Sequence, residues 1–287
     1  MSPFRLYAIL LVFCSVPITV HANESVDKRA SIAQTLADGV SHQEFHKIYV
    51  PDFCNSTSRP DGPGAYFAAS FSFLLGHNGK DFTVLSRIDA HHYLIQNHWT
   101  DCDLAQPEIL QKFVAAFDVD GLLTGNVQSE KNYFRVDLIL RDVSGKARVH
   151  CIYDEPFRPD TLAYFPAITS SAGWPFYFPM LDGVTPPKPS KMSVFPYPAS
   201  YKPVILAGNV VISMIIATDG SVEQARIVQK VDPDFDSDTL KVVKTWHFEP
   251  AKSPDGTPVP VRVGLQLRFH ARGMPAQAQY PEDQSHP

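Results

Sequence analysis

The sequence predicts an α+β fold in two parts: an N-terminal layered α/β domain with a mixed sheet, then a C-terminal domain in which a helix packs on a three-stranded antiparallel sheet. Three observations predict it. Strand and helix signals alternate between residues 46 and 165, eleven of the 25 prolines fall between Pro156 and Pro203, and a hairpin, a helix and a long alternating strand follow.

The chain opens on Arg5 and an apolar stretch from Leu6 to Val20, interrupted by Pro17 and closed by Val20-His21-Ala22. A charged start, a short apolar run and small residues before a cleavage point predict a secretory signal peptide over residues 1–22, and hence a periplasmic or secreted mature chain. The run is too short and broken to cross a bilayer comfortably; the alternative is an uncleaved inner-membrane anchor over residues 6–20. Cys14 follows the bulky Phe13, where lipidation would need a small residue. Residues 23–45 read as an amphipathic helix, with Ile32, Leu36 and Val40 at helical spacing.

Within the 46–165 domain, strands are predicted at Lys47 to Phe53, Phe82 to Leu85 and Gly121 to Gly125, and helices at Gly64 to Leu75 and Leu104 to Phe117. Tyr133 to Leu140 alternates, with Phe134, Val136, Leu138 and Leu140 on one face, and Ala147 to Tyr153 completes a meander through Ser144-Gly145. Pro186-Pro187-Lys188-Pro189 can only be extended or turning, so residues 166–193 are read as a linker.

The C-terminal domain is placed at residues 194–270. Val210, Ile212, Met214 and Ile216 line one face of a strand, Asp219-Gly220 supplies a tight turn, and a second strand runs from Ser221 to Gln229. Asp232-Pro233 breaks it. A helix follows, with Asp234 or Asp236 placed to accept from first-turn amides and Leu240, Val243 and Trp246 at helical spacing. After the turn at Pro254-Asp255-Gly256, Val259, Val261, Val263, Leu265, Leu267 and Phe269 alternate with Pro260, Arg262, Gly264, Gln266 and Arg268. That pattern predicts a strand with one packed face and one wet face, and its prolines place it at a sheet edge. The tail, residues 271–287, is polar and proline-containing, which predicts disorder.

The composition narrows the function classes. A formal charge of -5 with no basic run excludes a nucleic-acid partner, since phosphate neutralisation needs clustered Lys and Arg. No phosphate loop, dinucleotide fingerprint or nucleophile elbow is present, and Asp52, Asp118 and Asp120 suit turns and caps better than catalysis, so neither an enzyme nor a cofactor is predicted. Asn55-Ser56-Thr57 fits a glycosylation acceptor, a match that a bacterial envelope origin would make accidental.

Three cysteines follow the leader. Cys54 lies past a strand end and Cys102 before a helix, loop positions on one rim of a layered fold, which favours Cys54 with Cys102 and leaves Cys151 buried or intermolecular. Spacing alone does not fix that connectivity. The stretch from His91 to Asp103 also holds the ligand types of a zinc site, and a metal-dependent hydrolase using His91, His98 and Cys102 is the alternative function. No His-x-x-x-His or Cys-x-x-Cys pair anchors it, so solvated histidines on a helix and a disulfide at Cys102 are the preferred account.

Pro196-Tyr197-Pro198, Gly208, Val210, Asp219-Gly220-Ser221-Val222, Phe235-Asp236, Trp246-His247-Phe248-Glu249-Pro250-Ala251, Gly256, Pro258-Val259 and Phe269 occur in an order and spacing that resembles the C-terminal domain of the TonB family. The resemblance implies a small recognition domain that binds outer-membrane transporters or related envelope proteins, without catalytic residues. The motif residues themselves read as scaffold, Trp246 and Phe248 chiefly as buried area. A classical family member begins with an uncleaved membrane helix and a long proline-rich spacer, from which this chain departs. Asp52-Phe53, Ser86-Arg87 and Asp120-Gly121-Leu122-Leu123-Thr124-Gly125 resemble the N-terminal domain shared by TolB and by curli- and flagellum-assembly envelope proteins, implying a second protein-binding module. Two uses of the final strand follow from its predicted edge position. Val263, Leu265, Leu267 and Phe269 form the candidate partner-binding edge, or the same strand joins two copies as a homodimer of a structural envelope component.

Overall fold

The computed structural model describes residues 9–12, 24–54, 62–157, 175–193, 208–230 and 233–269. Pro198, the cleavage point at 20–22, Asn55-Ser56-Thr57, residues 158–174 and the tail 271–287 lie outside the described residues. In chain order the elements are β1 (Ile9–Val12), α1 (Glu24–His42), β2 (Lys47–Tyr49), α2 (Gly62–Asn78), β3 (Thr83–Val84), α3 (Arg87–Gln96), a 3₁₀ turn (Asp101–Ala105), α4 (Pro107–Phe117), β4 (Gly121–Ser129), β5 (Tyr133–Asp142), β6 (Ala147–Pro156), β7 (Lys188–Lys191), β8 (Gly208–Ile216), β9 (Val222–Gln229), α5 (Pro233–Val243), β10 (His247–Glu249) and β11 (Val261–Phe269). They form two compact units, one containing residues 24–157 and the other residues 9–12 and 175–269.

The first unit is built on a mixed sheet in the order β3-β2-β4-β5-β6, with β2 parallel to both neighbours and the rest antiparallel. The alternation of β5 decides which face is packed: Phe134, Val136, Leu138 and Leu140 are buried. Phe67 of α2 meets Phe134 edge-on at 6.0 Å and Phe71 meets Tyr153 at 6.1 Å, while Leu36 and Val40 of α1 complete this layer. Arg29 ties α1 to β6 through Glu155 at 2.7 Å and lies over the rings of Tyr66 and Phe67. On the opposite face Tyr49 stacks at 5.1 Å on Phe113 of α4.

Two boundaries differ from the pattern reading. Pro107 cannot sit inside a helix, so the run expected from Leu104 divides into a 3₁₀ turn and α4, with Pro107 at its first turn. The helix on which the histidines were placed is α3, which starts after Ser86, whose hydroxyl accepts from Asp89 N–H, and ends before His98.

In the second unit, β8 and β9 close through Asp219-Gly220, where Gly220 has φ +86°. The position also demands the smallest residue. A Cβ on Gly220 would stand 1.8 Å from the carbonyl oxygen of Phe248, because Phe248 N–H donates to Gly220 O at 2.8 Å. β11 runs antiparallel to β8 along its whole length, from Val261 opposite Ile216 to Phe269 opposite Gly208. α5 starts at Pro233, so Asp236 lies inside the first turn rather than at the cap. Beyond the helix, Trp246 and Phe248 are buried, and Trp246 Nε1 donates to Ser193 O at 3.1 Å.

At Arg262 the wet face predicted for β11 is covered. Arg262 is only 2 % exposed, its Nε and Nη2 donate to Ser213 Oγ at 3.2 Å, and its guanidinium lies 5.6 Å from the ring centre of Phe176. The cover comes from residues read as linker. Phe176, Tyr177, Phe178 and Val184 are buried, Tyr177 exchanges main-chain hydrogen bonds with Pro260 and Arg262, and β7 pairs with β10 so that Pro189 faces Phe248. Residues 175–193 are therefore part of this unit. Both faces of β8 are consequently closed, with Val211, Ser213 and Ile215 as buried as Val210, Ile212 and Met214.

Candidate functional site

The small sheet has the order β1-β11-β8-β9, so β11, expected at the edge, carries a further strand on its outer margin. β1 runs antiparallel to it, with Ile9 opposite Arg268, Leu10 opposite Leu267, Leu11 opposite Gln266 and Val12 opposite Leu265. The apolar leader thus offers a strand as readily as a membrane-directed run, since aliphatic residues satisfy both patterns. At the other end of the same margin, Tyr177 bridges Val261 in parallel. Val263 and Gly264 lie between the two added segments.

This arrangement reassigns the work of the expected edge residues. Val263, Leu265 and Leu267 are buried in the domain, so their side chains build the core, and what the margin presents to an added strand is main-chain N–H and C=O. Phe269 is the last residue of β11, opposite Gly208 at the start of β8. Other motif positions fall in turns and at element ends. Asp219 Oδ1 accepts from Ser221 N–H at 2.8 Å in the hairpin turn, and Gly256 holds φ +87° in the turn before β11. Phe235 and Asp236 belong to the first half of α5, with Asp236 buried, and Pro250 separates β10 from the buried Ala251.

The first unit holds a second polar constellation, in its interior. Cys54 and Cys102 form a disulfide, which joins the chain leaving β2 to the 3₁₀ turn. Asp52 and Asp101, two residues and one residue from those cysteines, converge there on α3. Arg87 donates to Asp52, His91 Nε2 lies 3.0 Å from Asp101 Oδ2 and 4.0 Å from Asp52 Oδ2, and Tyr49 donates its hydroxyl to Asp101 Oδ1 at 2.6 Å. Burial first, and then the Asp101 carboxylate, push the Tyr49 phenol well above its ordinary range, which keeps it a donor.

This geometry replaces the His91, His98 and Cys102 ligand set. Cys102 is consumed by the disulfide, and His98 is exposed beyond the end of α3 with φ 59°. His91 is not solvated, as the helix reading expected, but fully buried. Its imidazole and the carboxylates of Asp52 and Asp101 do offer three metal-ligand atoms within 4.8 Å of one another. With Arg87 on one carboxylate and Tyr49 on the other, however, the group reads as an internal ion network that orients α3 against β2. Beside it a cleft of about 440 Å³ opens between Phe53, Leu104, Leu110, Leu122, Thr124 and Arg141. The third cysteine, Cys151, is partly exposed on β6, and burial raises its pKa, so its thiolate is suppressed.

Comparison with known proteins adds a family. Residues 194–271 match the family described as Gram-negative bacterial TonB protein C-terminal. No curated protein matches the chain. Among solved structures, the LpoB C-terminal domain from Salmonella enterica is similar at 12 % identity and TM-score 0.34, over 44 % of this chain and 96 % of that one. The LpoB C-terminal domain from Escherichia coli is similar at 14 % identity and TM-score 0.34, again over 44 % of this chain and 96 % of that one.

Proposed function

Taking residues 194–271 as a TonB C-terminal domain, we propose that this protein is a non-enzymatic interaction protein of the Gram-negative envelope, which captures an extended segment of another envelope protein on the margin of β11. One observation carries the reading: that margin already accepts an additional antiparallel strand, residue for residue, over Leu265 to Arg268. Main-chain hydrogen bonds along a sheet margin hold a peptide with little regard to its side chains, and buried Val263, Leu265 and Leu267 keep the receiving strand straight and rigid. Outer-membrane transporters and other envelope proteins that expose extended segments are the partner class, and a link to transmembrane transport follows from it.

The mature chain in this reading begins after residue 22 and is periplasmic, which frees the margin of β1. No described helix is long and apolar enough to cross a membrane; in the alternative reading, residues 6–20 are retained and act as the tether. The first unit is the second binding module, with the cleft beside the disulfide as its concave feature. A chain comprising residues 23–287 should capture outer-membrane or periplasmic proteins from envelope extracts after photo-crosslinking from position 266. Recovery of none, with the chain folded, overturns the reading. Mass measurement of the protein recovered from cells shows whether residues 1–22 remain, and only a retained leader lets the protein transmit force from the inner membrane.

A further inference from the structure

The five-stranded sheet ends on β6, and among the described residues nothing pairs with its outer edge. The register fixes which main-chain groups that edge presents. Phe157 N–H donates to Asn132 O, immediately after Pro156 opposite Tyr133. Opposed residues of an antiparallel ladder alternate between bonded and non-bonded pairs, so Glu155, Tyr153 and Cys151 spend their N–H and C=O on β5. Asp154, Ile152 and His150 point theirs outward.

The same three residues share the sheet face opposite the α1 and α2 layer. Ile152 is 56 % exposed, an unusual position for a large aliphatic side chain in the middle of a strand. It is flanked at equal distance by His150, whose Nε2 lies 2.8 Å from Asp137, and by Asp154, 3.1 Å from Arg135.

We infer that β6 pairs antiparallel with β6 of a second copy, about a two-fold axis at Ile152. In that register Ile152 packs on its own counterpart, and each His150 opposes Asp154 of the second copy. Asp154 then lies between its own Arg135 and a foreign imidazole, so a carboxylate acceptor faces a ring N–H donor across the joint. The outward groups of His150, Ile152 and Asp154 all find partners, about six main-chain hydrogen bonds in three bonded pairs. The two ends of the run set its length. Pro156 has no N–H to give, and a bulge shifts the β5–β6 register between Leu140 and Arg141, beside Arg148. A register centred one residue earlier would set His150 against Ile152 and force the pairing into that bulge. Charged residues usually blunt a sheet edge against association. Here the placement of a hydrogen-bonding imidazole and a carboxylate at equal distances from Ile152 makes the edge complementary to itself.

Light scattering across a dilution series of residues 23–287 tests this. A dimer that dissociates on dilution is expected. Ile152→Lys, which sets two ammonium groups at the axis, should abolish the dimer while the circular dichroism spectrum is unchanged, because Ile152 contributes little to the monomer core. His150→Asp should weaken it, and His150→Asp with Asp154→His should restore it. A monomer at every concentration overturns the inference, and so does a dimer indifferent to Ile152→Lys, which would place association on another surface such as β11.

Discussion

The two units hold their polar interiors in opposite ways. In the first, three chain segments meet at a disulfide and an ionic network, with Asp52 and Asp101 distributed over Arg87, His91 and Tyr49. In the second, the buried Arg262 donates to the Ser213 hydroxyl and lies over the ring of Phe176, within a sheet whose strands bury aliphatic residues on both faces of β8. The difference separates two tasks. Loop ends that do not share a ladder need covalent and ionic ties to stay in register, whereas a hydrogen-bonded sheet needs only apolar cover, and its margin stays available for another strand.

Trp246 is the hardest test of that contrast, being the largest fully buried side chain among the described residues. Trp246→Ala removes the indole and strands the Ser193 carbonyl, for an expected loss of about 3–5 kcal/mol. Calorimetry should show the transition of the second unit lowered by many degrees and that of the first unchanged. A common shift of both would mean that the units unfold together and that the contrast is one of chemistry only.

The complementary test removes the covalent tie. Cys54→Ser with Cys102→Ser opens a loop spanning 48 positions and should cost the first unit about 4 kcal/mol, seen as a lower urea midpoint. Capture of a partner on β11 should persist, since the bridge and that margin belong to different units. If the unit keeps its midpoint, the ionic network alone holds α3 and the 3₁₀ turn, and the disulfide is incidental.

Much of this was legible in the chain. The alternation of β11, the Asp219-Gly220 turn and the Trp246-to-Ala251 segment identify the C-terminal domain, because period-two burial and turn chemistry are local properties. The pairing of Cys54 with Cys102 was favoured by their places at element ends, while spacing alone left the connectivity open. What escaped is non-local. Arg262 stands at a position that alternation assigns to water, and only the return of Phe176 and Tyr177 from far upstream makes it interior. His91 looked solvated for the same reason, since its acceptors Asp52 and Asp101 come from separate segments. A signal existed nonetheless. Each aspartate stands within two residues of a cysteine, so predicting the disulfide already brings the two carboxylates together beside α3.

The smallest effect concerns the boundary of the second unit, which sequence reading set at residue 194 and packing moves to about residue 175. Phe176→Leu keeps an apolar cover over Arg262 but removes the π face beneath the guanidinium, worth about 2 kcal/mol when desolvated. The loss should appear in the second transition alone. A fragment beginning at residue 190 should show a larger deficit, because it also discards Tyr177, whose main-chain bonds to Pro260 and Arg262 fix the start of β11. Equal stability of the fragment and the whole second unit would return residues 175–189 to the status of linker. The burial of Arg262 would then contribute nothing, and the margin at Val261 would be open to a partner along its full length.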